Sequence, residues 1–214
     1  SHHQWAGQCL DCKEWNTLEE VVISQATSSK PESLKDLPAS KVQNLSEIKS
    51  QNNNRLSTGL SELDRTLGGG LVDGSVVLIG GDPGIGKSTL ILQAIAAINA
   101  SNTTLYVSGE ESAEQVSERA IRLEIKEDIL FISEAHLEKI LKLSKDFQPK
   151  VIVIDSIQTM VTDISSSAPG SVTQVRDCEA QLTQYAKQTN TVLLMIGHVI
   201  KGGALAGPRI LEHM

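Results

Sequence analysis

The sequence predicts an α/β domain built on a mostly parallel central sheet with helices on both faces. Three observations lead there. Short apolar runs rich in β-branched residues recur at Val76 to Ile79, Thr104 to Val107, Ile129 to Ile132, Val151 to Ile154 and Val192 to Ile196. The stretches between them have helical character, and such alternation implies parallel strands buried on both faces. The first run leads into a glycine-rich turn, Gly81 to Gly86, directly before a predicted helix that begins near Lys87.

Composition narrows the class. A chain of 214 residues with 40% hydrophobic and 21% charged residues suits one α/β domain with a small appendage, and excludes a wholly disordered or fibrous protein. Aromatic residues are only 3%, so Val, Ile, Leu and Ala must build the core, and few stacking platforms exist for unpaired bases. The net charge of −7 argues mildly against an autonomous nucleic-acid domain, which usually carries a basic face. The stretch from Gly197 to Met214 is the exception, with Lys201 and Arg209 against Glu212 alone.

Taken in chain order, residues 1–23 hold Cys9-x-x-Cys12. This pair supplies half of a tetrahedral zinc site, which needs four ligands. Cys178 is the third cysteine and lies in a predicted helix far along the chain. Three cysteines cannot form a disulfide framework, and a reducing, cytoplasmic setting is expected. No apolar run reaches the ~18 residues of a membrane span, and no signal-peptide region is evident at the N-terminus. Residues 24–54, rich in Ser, Lys, Asn and Gln with two prolines, read as a linker. Strand and helix signals then run through residues 55–214.

Gly81-Asp82-Pro83-Gly84-Ile85-Gly86-Lys87-Ser88 fills the pattern G-x-x-x-x-G-K-[ST] between a strand and a helix, the context that identifies a phosphate-binding loop. Glycines let successive N–H groups face the phosphates, and the helix N-terminus adds a favourable dipole. Lys87 is expected to reach the outer phosphates and Ser88 to offer its hydroxyl to Mg²⁺. The nucleotide-binding stretch extends to Thr89. These residues predict binding of ATP or ADP.

Ligands in such sheets bind at the carboxyl ends of the strands, so the residues after each run are the next candidates. The run Val151 to Ile154 ends in Asp155, placed to hold Mg²⁺; a strand-terminal Asp can also serve as a helix cap, and its pairing with the glycine-rich loop favours the Mg²⁺ role. The run through Thr104 to Val107 delivers Glu110 and Glu111. A carboxylate beside the loop can orient the water that attacks a γ-phosphate. Glu110 is the first choice as base and Glu111 the alternative; either can instead favour the dipole of the following helix. The last run ends at His198, a candidate γ-phosphate sensor, followed by Lys201 and the glycine-rich stretch Gly202 to Gly207.

These residues together resemble a known family. Arg55-Leu56-Ser57-Thr58-Gly59, Glu62-Leu63-Asp64-Arg65, Leu67-Gly68-Gly69-Gly70-Leu71, the block Gly80 to Leu90, Tyr106 to Ser112 and Gly207 to Met214 look like the RadA (Sms) family of bacterial DNA repair proteins. Trp5-Ala6-Gly7-Gln8-Cys9, Cys12 and Trp15-Asn16-Thr17-Leu18 look like the second half of that family's four-cysteine zinc finger. The resemblance implies a RecA-like P-loop ATPase core acting as a ring-forming motor on single-stranded or branched DNA, promoting branch migration during recombination. It implies the recombinase RecA as partner and a homo-hexamer for full-length members, with a monomer left open for a shorter chain. Carried over, Lys87, Ser88, Asp155 and Glu110 take the nucleotide, Mg²⁺ and catalytic positions, and Gln158 to Arg176 and Lys201 to Gly207 take the places of DNA loops, with Lys201 as the basic candidate.

The departures are equally specific. The upstream cysteine pair and everything the family carries beyond Met214 are missing, so a fragment is expected, with Zn²⁺ bound only where the full finger is present and with weak hydrolysis. Ile200 stands where the family commonly has Thr. Two other readings compete. Glu110-Glu111-Ser112 followed by Gln115 also resembles KaiC-like signalling ATPases, and a scaffold that binds nucleotide without turnover is the third.

Overall fold

In a computed structural model, residues 55–198 are described together with Asn44, and residues 199–200 and 204–205 are described as backbone. The chain divides into two units, Ser1–Lys49 and Ser50–Met214. Cys9, Cys12, the predicted linker apart from Asn44, Lys201 and Arg209 lie outside the described residues.

The second unit opens on a stitched segment. Leu56 and Leu71 exchange backbone hydrogen bonds at 2.8 Å, while Arg55 Nη1 donates to the carbonyls of Leu67 and Gly70. Helix α1 (Ser61–Thr66) is held to the entering chain by Asp64, which accepts from Ser57 Oγ, Thr58 N and Thr58 Oγ1 at 2.6, 2.8 and 2.7 Å. A Cβ on Gly70 would lie 2.7 Å from the Leu56 carbonyl oxygen, so only glycine fits beside the Leu56–Leu71 bridge.

Strands β1 (Val76–Gly81), β2 (Thr104–Ser108), β3 (Leu130–Ser133), β4 (Val151–Asp155) and β5 (Val192–Ile200) alternate with helices α2 (Lys87–Asn99), α3 (Ala113–Arg122), α4 (Leu137–Phe147) and α5 (Val172–Thr189). All five strands pair in parallel, in the order β1-β5-β4-β2-β3, and a short β6 (Ala204–Leu205) pairs antiparallel with β5. The predicted α/β class, with a mostly parallel sheet flanked by helices, is the observed one. The edges of the runs shift slightly: β5 continues to Ile200, four residues past the predicted end, and the third strand begins at Leu130 rather than Ile129.

The strands read as unbroken apolar runs because both faces are covered. On one face Leu105, Val107, Ile152, Ile154, Leu193 and Met195 pack with Leu137 and Ile140 of α4 and Val175, Cys178 and Leu182 of α5. On the other, Tyr106, Val151, Val153, Val192, Leu194 and Ile196 pack with Ile91, Leu92, Ile95 and Ile98 of α2 and Val116 of α3. Alternate residues of each strand serve opposite faces, as the pleat requires. Two helices start on their own sequence signals. Ser112 and Gln115 form a reciprocal capping box at α3, and the Ser171 side chain accepts from Gln174 N at α5.

Among the described residues no helix is long and apolar enough to cross a membrane. Register lines up the chemistry. Ser108 stands opposite Asp155 across β2 and β4, Asp155 opposite Ile196 across β4 and β5, and Gly81 opposite His198 across β1 and β5. The carboxyl ends of the four strands β2, β4, β5 and β1 therefore form one continuous edge.

Candidate active site

Strand β1 runs directly into the glycine-rich loop. Gly84 and Gly86 take positive φ of 79° and 102°, a conformation that glycine adopts without strain, and α2 starts immediately after Gly86. A Cβ built on either residue would meet nothing within 4 Å, so the loop faces open space on that side. Lys87 is buried at 7% exposure, and its ammonium donates to the carbonyls of Gly81 and Asp82 at 2.7 and 2.8 Å. The loop thus wraps around its own lysine. Ser88 and Thr89 follow in the first turn of α2, partly exposed, and Asp82, Pro83 and Ile85 lie on the exposed outside of the loop.

Asp155 ends β4 at 7% exposure. The Tyr106 hydroxyl donates to its Oδ2 at 2.5 Å. Burial first, and then the charge of Asp155, push the Tyr106 phenol well above its ordinary value, so it remains a donor throughout the range in which proteins are folded. The Asp155–Ser156 peptide is cis.

The two glutamates after β2 occupy different surroundings. Both backbone N–H groups donate to Ser108 Oγ, at 3.3 Å from Glu110 and 2.9 Å from Glu111, which bends the chain so that the side chains part. Glu110 Oε1 accepts from Ser156 Oγ at 2.8 Å and lies 3.5 Å from His198 Nε2. Its side chain keeps 47% exposure, open to a ligand at the edge. Glu111 instead forms an ion pair with Arg119 of α3, with side chains only 30% and 15% exposed. Within this geometry Glu110 is the glutamate brought to the edge with Asp155 and His198, and Glu111 is the one tied into the helix that follows.

The turn that carries Glu110 is tightly fixed. Gly109 N donates to the Asp155 carbonyl at 2.9 Å, and a Cβ there would lie 2.2 Å from Thr159 Oγ1 and 2.8 Å from Thr159 Cβ. His198 is anchored through its carbonyl, which accepts from Gln158 Nε2 at 3.4 Å.

Three contributors escaped sequence reasoning: Tyr106, Ser156 and Arg119. Tyr106 pairs with Val153 in register, and Asp155 sits two residues further along the same face, so a known β2–β4 pairing exposes the contact. Ser156 follows Asp155 directly and was within reach of any search one residue past the strand. Cys178 is buried in the apolar core. Burial first, then the charges of Glu138 and Asp177, push its thiol up to about 12, which leaves it a packing residue.

Comparison with known proteins places the chain in a family. The family described as "Family of unknown function (DUF7125)" matches residues 55–194. A protein of Pseudomonas aeruginosa named DNA repair protein RadA is 51% identical over 212 residues, covering 99% of this chain and 47% of the relative. Proteins of the same name from Haemophilus influenzae and Escherichia coli are 50% and 48% identical over 215 and 217 residues, each covering 98% of this chain and 47% of the relative. The chain spans about half the length of these curated relatives. On these matches the chain belongs to the DUF7125 family and, along nearly its whole length, is a relative of the bacterial DNA repair proteins RadA.

Proposed function

We propose that residues 55–214 form the ATP-hydrolysing core of a DNA repair protein, a RecA-like motor that acts on single-stranded or branched DNA in recombination. The observation that carries this reading is the convergence of Lys87, Asp155, Glu110 and His198 on one sheet edge. An open loop of glycine N–H groups around a lysine suits a polyphosphate, and the buried Asp155 together with the Ser88 hydroxyl suits a hard divalent ion with oxygen ligands.

In this account the N–H groups of residues 81–89 and the Lys87 ammonium bind the phosphates of ATP, with Lys87 exchanging the Gly81 and Asp82 carbonyls for phosphate oxygens. Ser88 and Asp155 would hold Mg²⁺, which supplies charge neutralisation at the outer phosphates when bound. Tyr106 fixes the Asp155 carboxylate by one oxygen and leaves the other free to face the ion. Glu110, aimed by Ser156, accepts a proton from the attacking water. His198, beside Glu110 and bonded through its carbonyl by Gln158, relays the state of the site to the residues proposed to contact DNA, Gln158 to Arg176 and Lys201 to Gly207.

The names of the relatives favour the repair motor over a KaiC-like signalling ATPase. Assembly into a homo-hexamer, cooperation with the recombinase RecA, zinc at Cys9 and Cys12 when a full finger is present, and a cytoplasmic location belong to the same proposal. The test is ATP hydrolysis with and without single-stranded DNA, using Lys87→Ala as the blank. Stimulation by DNA that vanishes in the blank supports the motor; turnover indifferent to DNA points to signalling, and tight binding without turnover to a scaffold.

A further inference from the structure

Away from the nucleotide edge, the chain that leaves β4 returns to the start of α4. Leu137 N donates to the Val161 carbonyl and Val161 N to the Ala135 carbonyl, both at 2.9 Å, and His136 pairs with Val161 in a parallel bridge. This stitching sets three metal-ligating side chains together. One ligand atom each of His136, Glu138 and Asp163 lies within 4.8 Å of the others, a spacing that a single ion can span.

Glu138 is the member that points to a missing partner. Its Oε1 accepts from Thr162 Oγ1 at 2.5 Å and from Asp163 N at 3.0 Å. Its Oε2 is shut off from solvent and has no hydrogen-bond donor. A carboxyl bonded twice through one oxygen thus keeps a buried second oxygen with no hydrogen-bond donor, beside the ligand atoms of His136 and Asp163. Such an arrangement is costly unless something positive completes it. The sheet-edge chemistry does not use these residues.

We propose that His136, Glu138 and Asp163 form a binding site for a divalent transition-metal ion, Zn²⁺ in the first place, which fastens the segment Val161 to Asp163 to the N-terminus of α4. One imidazole nitrogen with two carboxylates selects Zn²⁺ or a similar borderline ion over Mg²⁺ or Ca²⁺, which prefer all-oxygen sets. Three protein ligands leave a position for water. Thr162, buried and also bonded by Gln181 Nε2 at 2.9 Å and, through its carbonyl, by Gln174 Nε2 at 3.2 Å, orients the Glu138 carboxylate from behind, as outer-shell partners of metal ligands do. This site is independent of the ATPase reading and lies on different residues.

The experiment uses the whole chain with Cys9 and Cys12 replaced by serine, so that thiolate capture is not counted. After chelator treatment, Zn²⁺ is titrated by calorimetry, and thermal unfolding is recorded with and without the ion. The expected result is one equivalent bound, a higher Tm with zinc, and affinity lowered at least about tenfold in His136→Ala and in Asp163→Asn. Both substituted side chains are exposed, so the metal-free variants should unfold with the parent, which separates lost binding from lost folding. No zinc uptake by the parent, or the same isotherm in both variants, overturns the proposal.

Discussion

The Tyr106 hydroxyl donates to Asp155 Oδ2 across 2.5 Å, joining the middle of β2 to the carboxyl end of β4. Replacing this tyrosine by phenylalanine keeps the ring in the core but leaves a buried carboxylate oxygen without its donor. Tyr106→Phe is expected to cost about 1.5–3 kcal/mol of stability, the range for a hydrogen bond to a charged group, and to weaken Mg²⁺-dependent turnover more than nucleotide binding. Chemical denaturation together with a Mg²⁺ titration of hydrolysis checks both parts. Unchanged stability and unchanged Mg²⁺ dependence would remove Tyr106 from the account.

Glu110 and Glu111 should separate cleanly. Glu110→Gln is expected to leave nucleotide binding nearly intact and to lower turnover by at least about 100-fold, the scale of general-base catalysis. Glu111→Gln should retain turnover per folded molecule and lose about 1–2 kcal/mol of stability, because Arg119 is left largely buried without its partner. Parallel hydrolysis and unfolding measurements decide it; the reverse pattern assigns the base to Glu111.

Gly109→Ala places a methyl group 2.2 Å from Thr159 Oγ1. The turn and the chain after β4 must move apart, at a cost of about 1–3 kcal/mol as for overpacking elsewhere. Since that turn carries Glu110, turnover should fall as well. Unfolding in urea measures the first effect, and a variant as stable as the parent would show that the contact yields easily.

Glu134 gives a pH dependence of stability. Hydrogen bonds from His136 N first, then Lys139 and Ala135 N, hold its carboxyl down to about 2, against an ordinary value of 4.5. A depressed folded pKa means that the native state favours the charged form, so this contribution is complete above pH 4.5 and lost as pH falls toward 2. Glu134→Gln should therefore lower Tm at pH 7 and converge with the parent near pH 2 to 3. The loss should stay below about 1 kcal/mol, since the Lys139 partner is largely exposed. A Tm difference that does not change with pH would exclude charge as its cause.

What the sequence made legible is what depends on local pattern. The five strands are legible as apolar runs because both faces of the sheet are covered, and the glycine loop because Gly84 and Gly86 take the positive φ its spacing requires. The place of Asp155 is legible in the same way, as the first polar residue after a buried run. The pairing of Glu111 with Arg119 and of Tyr106 with Asp155 was not visible, because each depends on which elements become neighbours. Strand order β1-β5-β4-β2-β3 sets β2 beside β4 across 42 intervening residues, from Ser108 to Val151, and no periodicity encodes that choice. The cluster of His136, Glu138 and Asp163 went unread for the same reason: it needs the chain after β4 to fold back on the start of α4.

The central claim is that the sheet edge binds ATP through Lys87 and cleaves it through Glu110. Single-turnover hydrolysis with protein in excess over ATP, in Mg²⁺, tests it most directly because slow turnover is still seen. The account predicts ATP cleavage by the parent chain, bound but uncleaved ATP in Glu110→Gln, and neither binding nor cleavage in Lys87→Ala. Equal cleavage by all three proteins would contradict it.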